Sequence, residues 1–369
     1  MSRKGKHRRG RGQSVGEERP DRHDATRRRT RHERRHNSRY GSRSAGAPWK
    51  RFALPGGAIV LLVLAFMIHH AVSASGEESF DGERALADTK TQCDFGARIP
   101  GTEPHVKTRD WIVAEIEKIG LVAWLQPFEA HLALIEKDAP AWNIWAMPKA
   151  VAEARERGET PEGPFIVIGA HWDTRPLADD EPPGRPQLPV TGANDGAAAV
   201  AMGLELARAI EGTPLADRVI LGFWDAEDAG TSGSDATWCI GSQYAAANWK
   251  EQTPFLGKMK LGINLDMVAG RGLQLEREGN SLDEQPGAMR RLWSIGMRRA
   301  PNMFLNRDGN YYTDDHMSFI DVGLPFIDLI GLPHYRYWHK VGDTPDKCDP
   351  ATMATLGNVL IEFVRGEIG

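Results

Sequence analysis

Between Arg51 and Glu77 the chain carries no charged residue, and the centre of that interval, AIVLLVLAFMI, is unbroken in apolar side chains. A run of about 25 such residues is long enough to cross a hydrocarbon core of about 30 Å as a helix, so residues 52–76 are expected to form a transmembrane anchor. Pro55, Gly56 and Gly57 weaken its first turn. The following AVSASG resembles a signal-peptidase site, but a leader of about 50 residues ahead of the apolar run is far longer than an ordinary n-region. An uncleaved anchor is therefore the expectation.

From Ser79 onward the pattern changes to strand-like and helix-like segments in alternation. Phe80 to Cys93 reads as a helix, and FGARIPGTEPH as a loop of turn formers. A second helix is expected over roughly His105 to Ile119, where Trp111, Ile112, Ala114, Ile116 and Ile119 recur at helical spacing before Gly120. LVAWLQPF and WNIWAM read as strands joined through a polar segment, and KAVAEARERGETPEGP as a surface excursion, a short helix or a hairpin tip. FIVIGAHWDT, RVILGFWD and KLGINLDMV are continuous apolar runs of buried strands, and LPFIDLI is a shorter one. Helices are expected over Asn194 to Ile210, with Asn194 or Asp195 as cap, near Gly241 to Trp249 and Gly287 to Arg299, and from Pro350 to about Arg365 behind Asp349. Such alternation predicts an α/β fold with a central, mostly parallel mixed sheet flanked by helices. Residues 79–369 form one domain in this reading.

The overall charge of −4 hides an asymmetry. Residues 1–51 hold 18 Lys and Arg against 5 Asp and Glu, a net of +13, while the rest holds 28 against 45, a net of −17. The basic tail lacks apolar periodicity and is expected to be disordered. It lacks the interleaved aromatics of a nucleic-acid surface, so no nucleic-acid partner is expected. Placed before the apolar run, it predicts a cytoplasmic N-terminus and an extracytoplasmic domain by the positive-inside rule. Three cysteines, Cys93, Cys239 and Cys348, allow one disulfide at most and have no metal-ligand spacing.

The candidate chemistry sits at the strand ends. FIVIGAHWDT delivers His171 and Asp173, and Asp195 lies in a Gly-rich turn before a helix. Glu227 and Asp228 follow the next strand and Asp266 closes the one after. In open α/β sheets ligands bind beyond the carboxyl ends of the strands, and imidazole with carboxylate is a donor set that Zn²⁺ prefers. Each group has a structural alternative: Asp195 as a helix cap, His171 as a core histidine, Glu227 and Asp228 as a solvated turn. Asp314, Asp315 and His316 form an acidic patch in which at least one residue caps a helix. His339, in HYRYWHKVGDTPD, is the best nitrogen ligand from the C-terminal part. The loop RPLADDEPPGRPQLPV, between two ligand candidates, is expected to wall the site.

The motifs FGARIPGT, AHWDTRP, GANDGA, FWDAEDAG, TWCIGSQYAA, LDMV, TDDHMSF and YWHKVGDTPD, spread from Cys93 to Gly369, resemble the zinc-dependent aminopeptidase superfamily and, within it, the glutaminyl-peptide cyclotransferases. The resemblance implies one catalytic Zn²⁺ held by Asp195, Asp228 and His339, with Glu227 as proton shuttle and Asp266 and Asp315 as hydrogen-bonding carboxylates beside it. It implies that His171 stands behind the ligands or serves a second metal, that Trp338 lines the pocket, and that peptide N-termini are the substrate. Two departures stand out. Asp228 occupies a position where many relatives have Glu, and GTSGS replaces a tryptophan that animal cyclases carry after the acid pair, with Trp238 as a substitute for that wall. The same residues fit a di-zinc aminopeptidase, in which two ions share Asp195 and His171 and Asp266 complete the set. An inactive binding ectodomain is the third reading, against which stands the retention of every ligand position.

Overall fold

The structure is a computed structural model that describes residues 79–369. The basic tail and the proposed anchor at 52–76 lie outside the described residues. Among those described, no helix is long and apolar enough to cross a membrane.

Eight strands form: β1 (Val122–Leu132), β2 (Lys137–Met147), β3 (Phe165–His171), β4 (Val219–Trp224), β5 (Met259–Asp266), β6 (Leu275–Arg277), β7 (Phe304–Asp308) and β8 (Phe326–Ile330). The helices are α1 (Gly82–Asp94), α2 (Glu103–Lys118), α3 (Lys149–Glu156), α4 (Ala198–Ala209), α5 (Ile240–Ala247), α6 (Trp249–Gln252), α7 (Gly279–Glu284), α8 (Pro286–Arg299), α9 (Asp315–Ile320) and α10 (Pro350–Ile368). The main sheet has the order β1-β2-β4-β3-β5-β8. β4, β3, β5 and β8 run parallel, while β1 and β2 form an antiparallel hairpin added to the β4 side.

Burial explains the pattern. Every residue of β3, β4 and β8 is buried, as expected of strands covered by helices on both faces. β1, at the edge, alternates buried and exposed residues from Gln126 onward. The two larger of three apolar clusters cover most of the sheet. One includes Leu86, Ile112, Leu204, Leu292 and Leu360, from α1, α2, α4, α8 and α10. The other gathers Trp145, Trp224, Phe255 and Phe319.

The expected helices and buried strands are present, with shifts of a few residues. Three differences have physical causes. The hairpin runs past the predicted strands, because Ala130 pairs with Ala139 and His131 with Asp138 across a tight connection at Ala133–Ile135. The helix expected from Asn194 begins at Ala198, and neither Asn194 nor Asp195 caps it. β6 and β7 pair as a small separate sheet that the sequence pattern does not reveal. The cysteines are buried and free, so the permitted disulfide does not form.

The topology places the site. β4 and β5 flank β3 on opposite sides, and the parallel register sets His171 beside Trp224 and Asp266 beside Ile330. The carboxyl ends of four strands thus share one edge, at the point where the chain order reverses.

Candidate metal centre and pocket

Asp195 reaches the site because the segment Ala193–Ala197 is not helical: Asp195 has φ −98° and ψ 80°, and Gly196 has φ 116°. A Cβ at Gly196 would stand 2.8 Å from the His171 carbonyl oxygen and 2.9 Å from its ring, so only glycine lets the turn pass this close. The turn's amides are claimed from far along the chain. Asp343 accepts from Asn194 N at 3.0 Å and from Asp195 N at 3.1 Å, and Asn194 Oδ1 accepts from Ala269 N at 2.8 Å. This arrangement frees the Asp195 carboxylate from capping duty.

Glu227 and Asp228 are held in the same manner, their amides donating to Asp173 at 3.0 and 3.2 Å. Asp225, the acid before the pair, is tied to His105 at 2.9 Å and to Trp142 N at 2.7 Å and does not face the site's ligands. Ala226, Cys239, Met267 and His339 all have positive φ. Left-handed non-glycine residues are costly and concentrate where function fixes the backbone, and these four adjoin or belong to the candidate site.

Donor atoms of Asp195, Asp228 and His339 lie within 4.8 Å of one another, all three buried. His339 Nε2 is 2.9 Å from Asp228 Oδ1, close to the separation of about 3.3 Å that follows for two donors about 2.0 Å from a tetrahedral Zn²⁺. Yet Asp195 Oδ2 and both Asp228 oxygens lack a hydrogen-bond partner. Buried carboxylate oxygens without donors are costly, and a cation at their meeting point would satisfy all three. The residues present fit Zn²⁺.

Behind His339, Asp179 Oδ1 stands 3.5 Å from Nδ1, and Arg175 pairs with Asp179 at 2.6 Å while donating to the Asp228 carbonyl at 3.0 Å. Burial would lower the His339 pKa, but Asp228 and Asp179 outweigh it and raise it to about 9. A carboxylate behind a histidine ligand fixes its tautomer. Asp179→Asn should therefore weaken zinc binding about 10- to 100-fold, measured by competition with a chromogenic chelator; wild-type affinity would contradict this support. The proline-rich loop carrying Asp179 was expected to wall the pocket. It buttresses His339 instead, with Lys340 paired to Asp180 and Val341 N donating to Glu181 at 3.1 Å.

His171 joins a second group, its Nε2 3.1 Å from Asp195 Oδ1 and hydrogen-bonded to Asp266 Oδ1 at 3.3 Å. Burial opposes protonation there, but Asp173, Asp195 and Asp266 prevail and raise its pKa well above the usual value. Glu227, 3.9 Å from His171 Nδ1, is pushed well above the ordinary glutamate range by burial, against His171 and together with Asp228 and Asp315. Asp266 is raised to about 7, by burial first. Both Asp315 oxygens are buried and unpartnered, whereas Asp314 caps α9 through the Asp315 amide.

A cavity of about 340 Å³ opens over these groups, lined among others by Trp238, Trp338, Tyr311, Tyr312, Met267 and Leu332. Trp338 stacks on His339 at 3.7 Å and Trp238 stacks on it at 5.7 Å, with the two ring planes nearly parallel. Arg175 sits 4.5 Å over Trp238 and anchors it. Trp238 thus lines the cavity beside Ser232 and Gly233 of GTSGS. Asp343, Asp179 and Arg175 escaped the sequence reading, since they act on residues distant in the chain or from a loop expected only to wall the site.

Comparison with known proteins follows the same lines. The chain is 26% identical over 238 residues to the glutaminyl-peptide cyclotransferase of Bothrops jararaca, covering 54% of this chain and 61% of that protein. It therefore spans under two thirds of the length of that relative. Porphyromonas gingivalis glutaminyl cyclase superposes with a TM-score of 0.70 at 30% identity, over 79% of this chain and 100% of its own. A leucine aminopeptidase precursor from Bacteroides thetaiotaomicron also superposes at 0.70 and 30%, over 78% and 97%. The model of peptidase family M28 matches residues 151–364, more than half of the sequence and every strand end at which these groups meet, and the chain belongs to that family.

Proposed function

We propose that the protein is a zinc-dependent glutaminyl-peptide cyclotransferase, which converts the N-terminal glutamine of a peptide to pyroglutamate and releases ammonia. The observation that carries this reading is an asymmetry between the two ligand groups. Asp228, which belongs to the first group alone, has both oxygens without a hydrogen-bond partner although His339 Nε2 stands 2.9 Å from one of them, whereas Asp266 in the second group is hydrogen-bonded to His171. The geometry thus favours one ion, at Asp195, Asp228 and His339. The cyclases of Bothrops jararaca and Porphyromonas gingivalis support the same branch.

Bound there, Zn²⁺ would polarise the γ-carboxamide carbonyl of the substrate glutamine as a Lewis acid. The chain's own residues supply the rest. The α-amine attacks the amide carbon, a bond forms between them, and the bond to the departing nitrogen breaks. Glu227 takes the proton from the amine and returns it to that nitrogen, which leaves as ammonia. Nucleophile and electrophile belong to one residue, so the cavity need only fold the side chain back, and proximity is built in. Trp238 and Trp338 flank the space in which it would lie. Asp266, hydrogen-bonded to His171, lines the cavity with Glu227, whereas Asp315 is buried with both oxygens unpartnered and Asp314 lines the cavity in its place.

Because the Glu227 pKa lies well above the usual range, the base form is lost as pH falls through that raised value. The acid limb of kcat/KM should therefore fall at a pH above that of an ordinary glutamate. A limb at the ordinary glutamate value would remove Glu227 from this role. The proposal itself is tested by chelation: ammonia release from a glutaminyl peptide should stop after metal removal and return with Zn²⁺. Cyclisation that persists in the stripped protein would refute it.

A second reading is a metallo-aminopeptidase with two ions, favoured by the convergence of His171, Asp195 and Asp266 within 4.8 Å. We further infer that residues 52–76 anchor the chain with its catalytic part outside the cytoplasm. Protease cleavage of that part in intact cells checks the topology, and full protection would reverse it.

A further inference from the structure

A second convergence of ligand types lies under the floor of the cavity. Asp314 caps α9, His316 stands in that helix's first turn and Asp328 lies at the middle of β8; they are 5%, 0% and 0% exposed. Their donor atoms fall within 4.8 Å of one another. Asp314 Oδ2, Asp328 Oδ2 and both ring nitrogens of His316 have no hydrogen-bond partner. His316 Nδ1 is 3.9 Å from Asp328 Oδ2, too far for a hydrogen bond, and Nε2 is 3.4 Å from Glu278 Oε2 without the alignment of one.

The surrounding groups leave this hole open. Asn264 Nδ2 holds the two aspartates by their other oxygens, at 3.2 Å to Asp314 Oδ1 and 3.4 Å to Asp328 Oδ1. Glu278 is already satisfied by the Ser281 amide and hydroxyl at 2.7 and 2.6 Å and by Asn280 N at 2.9 Å. Among the described residues, no Lys or Arg forms an ion pair with Asp314, Asp315 or Asp328. Carboxylates buried without a cation, with one oxygen of each lacking any donor, carry a large desolvation penalty.

We propose that Asp314, His316 and Asp328 form a second metal site, separate from that at Asp195, Asp228 and His339, which binds a divalent cation of the zinc type. One imidazole with two carboxylates is a zinc donor set, and the described residues present it three times, twice with Asp195 in common. The cation would tie β8 to the start of α9, in which Asp315 lies. Asp314 also lines the cavity, which gives an ion a route in. The competing occupant is a proton, since burial and then Asp314 push Asp328 well above the ordinary carboxylate range.

The test uses the full chain purified with zinc present and freed of loose metal. Anomalous diffraction at the zinc edge should show a peak between Asp314, His316 and Asp328. Zinc content should fall by one ion per chain in both Asp328→Asn and His316→Gln. No peak there, with zinc content equal to wild type in the variants, would overturn the site and leave protons or water to hold the cluster. Should Asp328→Asn fail to fold, the wild-type peak and His316→Gln decide alone. A peak at Asp195, Asp228 and His339 is resolved separately, so failure of the cyclase reading is not mistaken for failure of this one.

Discussion

Glu227→Gln is expected to lower turnover of a glutaminyl peptide by about 10²- to 10⁴-fold, the usual contribution of a positioned general acid–base group, with zinc content and melting temperature unchanged. Glutamine keeps the shape of the side chain and loses only its ability to carry a proton. The backbone is indifferent to the change, because the amide of residue 227 donates to Asp173 whichever side chain it bears. Cys239 Sγ, 3.4 Å from Glu227 Oε1, finds an acceptor in either residue. Turnover at the wild-type rate would show that the proton travels by another route. Loss of zinc together with activity would mean that Glu227 holds the ion as well.

His339→Ala should abolish measurable zinc binding at the catalytic centre and reduce activity to background. It removes the one nitrogen donor of its group and leaves Asp195 and Asp228 facing each other without a cation. Burial raises the Asp228 pKa, and His339 is the group that opposes this rise most, so the variant's Asp228 should take up a proton. Metal analysis with an activity assay in added zinc reads the result. Unchanged zinc content would show that the imidazole serves a different group, and rescue by free imidazole would support the assignment.

Much of this site can be read from the chain because its chemistry sits at strand ends. The apolar runs ending in His171, Asp266 and the Glu227–Asp228 pair declare themselves as buried parallel strands, and parallel strands present their ends on one edge. His339 was harder, since it lies in an irregular segment whose only local mark is its aromatic company. What could not be read is the scaffolding. Asp343 fixes the Asp195 turn across a separation of 148 residues, and no local pattern reports a contact of that range. The same long-range contact corrects the expectation of a capped helix at Asn194: its side chain and the turn's amides are engaged elsewhere, and Gly196 breaks the helical path. The loop carrying Asp179 was expected to wall the site, because the sequence shows charge and not what the charge meets.

The account holds that the substrate's own amine, not water, attacks the amide carbon inside this cavity. A glutaminyl peptide incubated with the zinc-loaded protein in heavy-oxygen water measures this directly by mass spectrometry. Pyroglutamyl peptide that has lost ammonia and gained no heavy oxygen is the predicted product. Free glutamine or glutamate carrying one heavy oxygen would contradict the account, because hydrolysis takes its new oxygen from solvent.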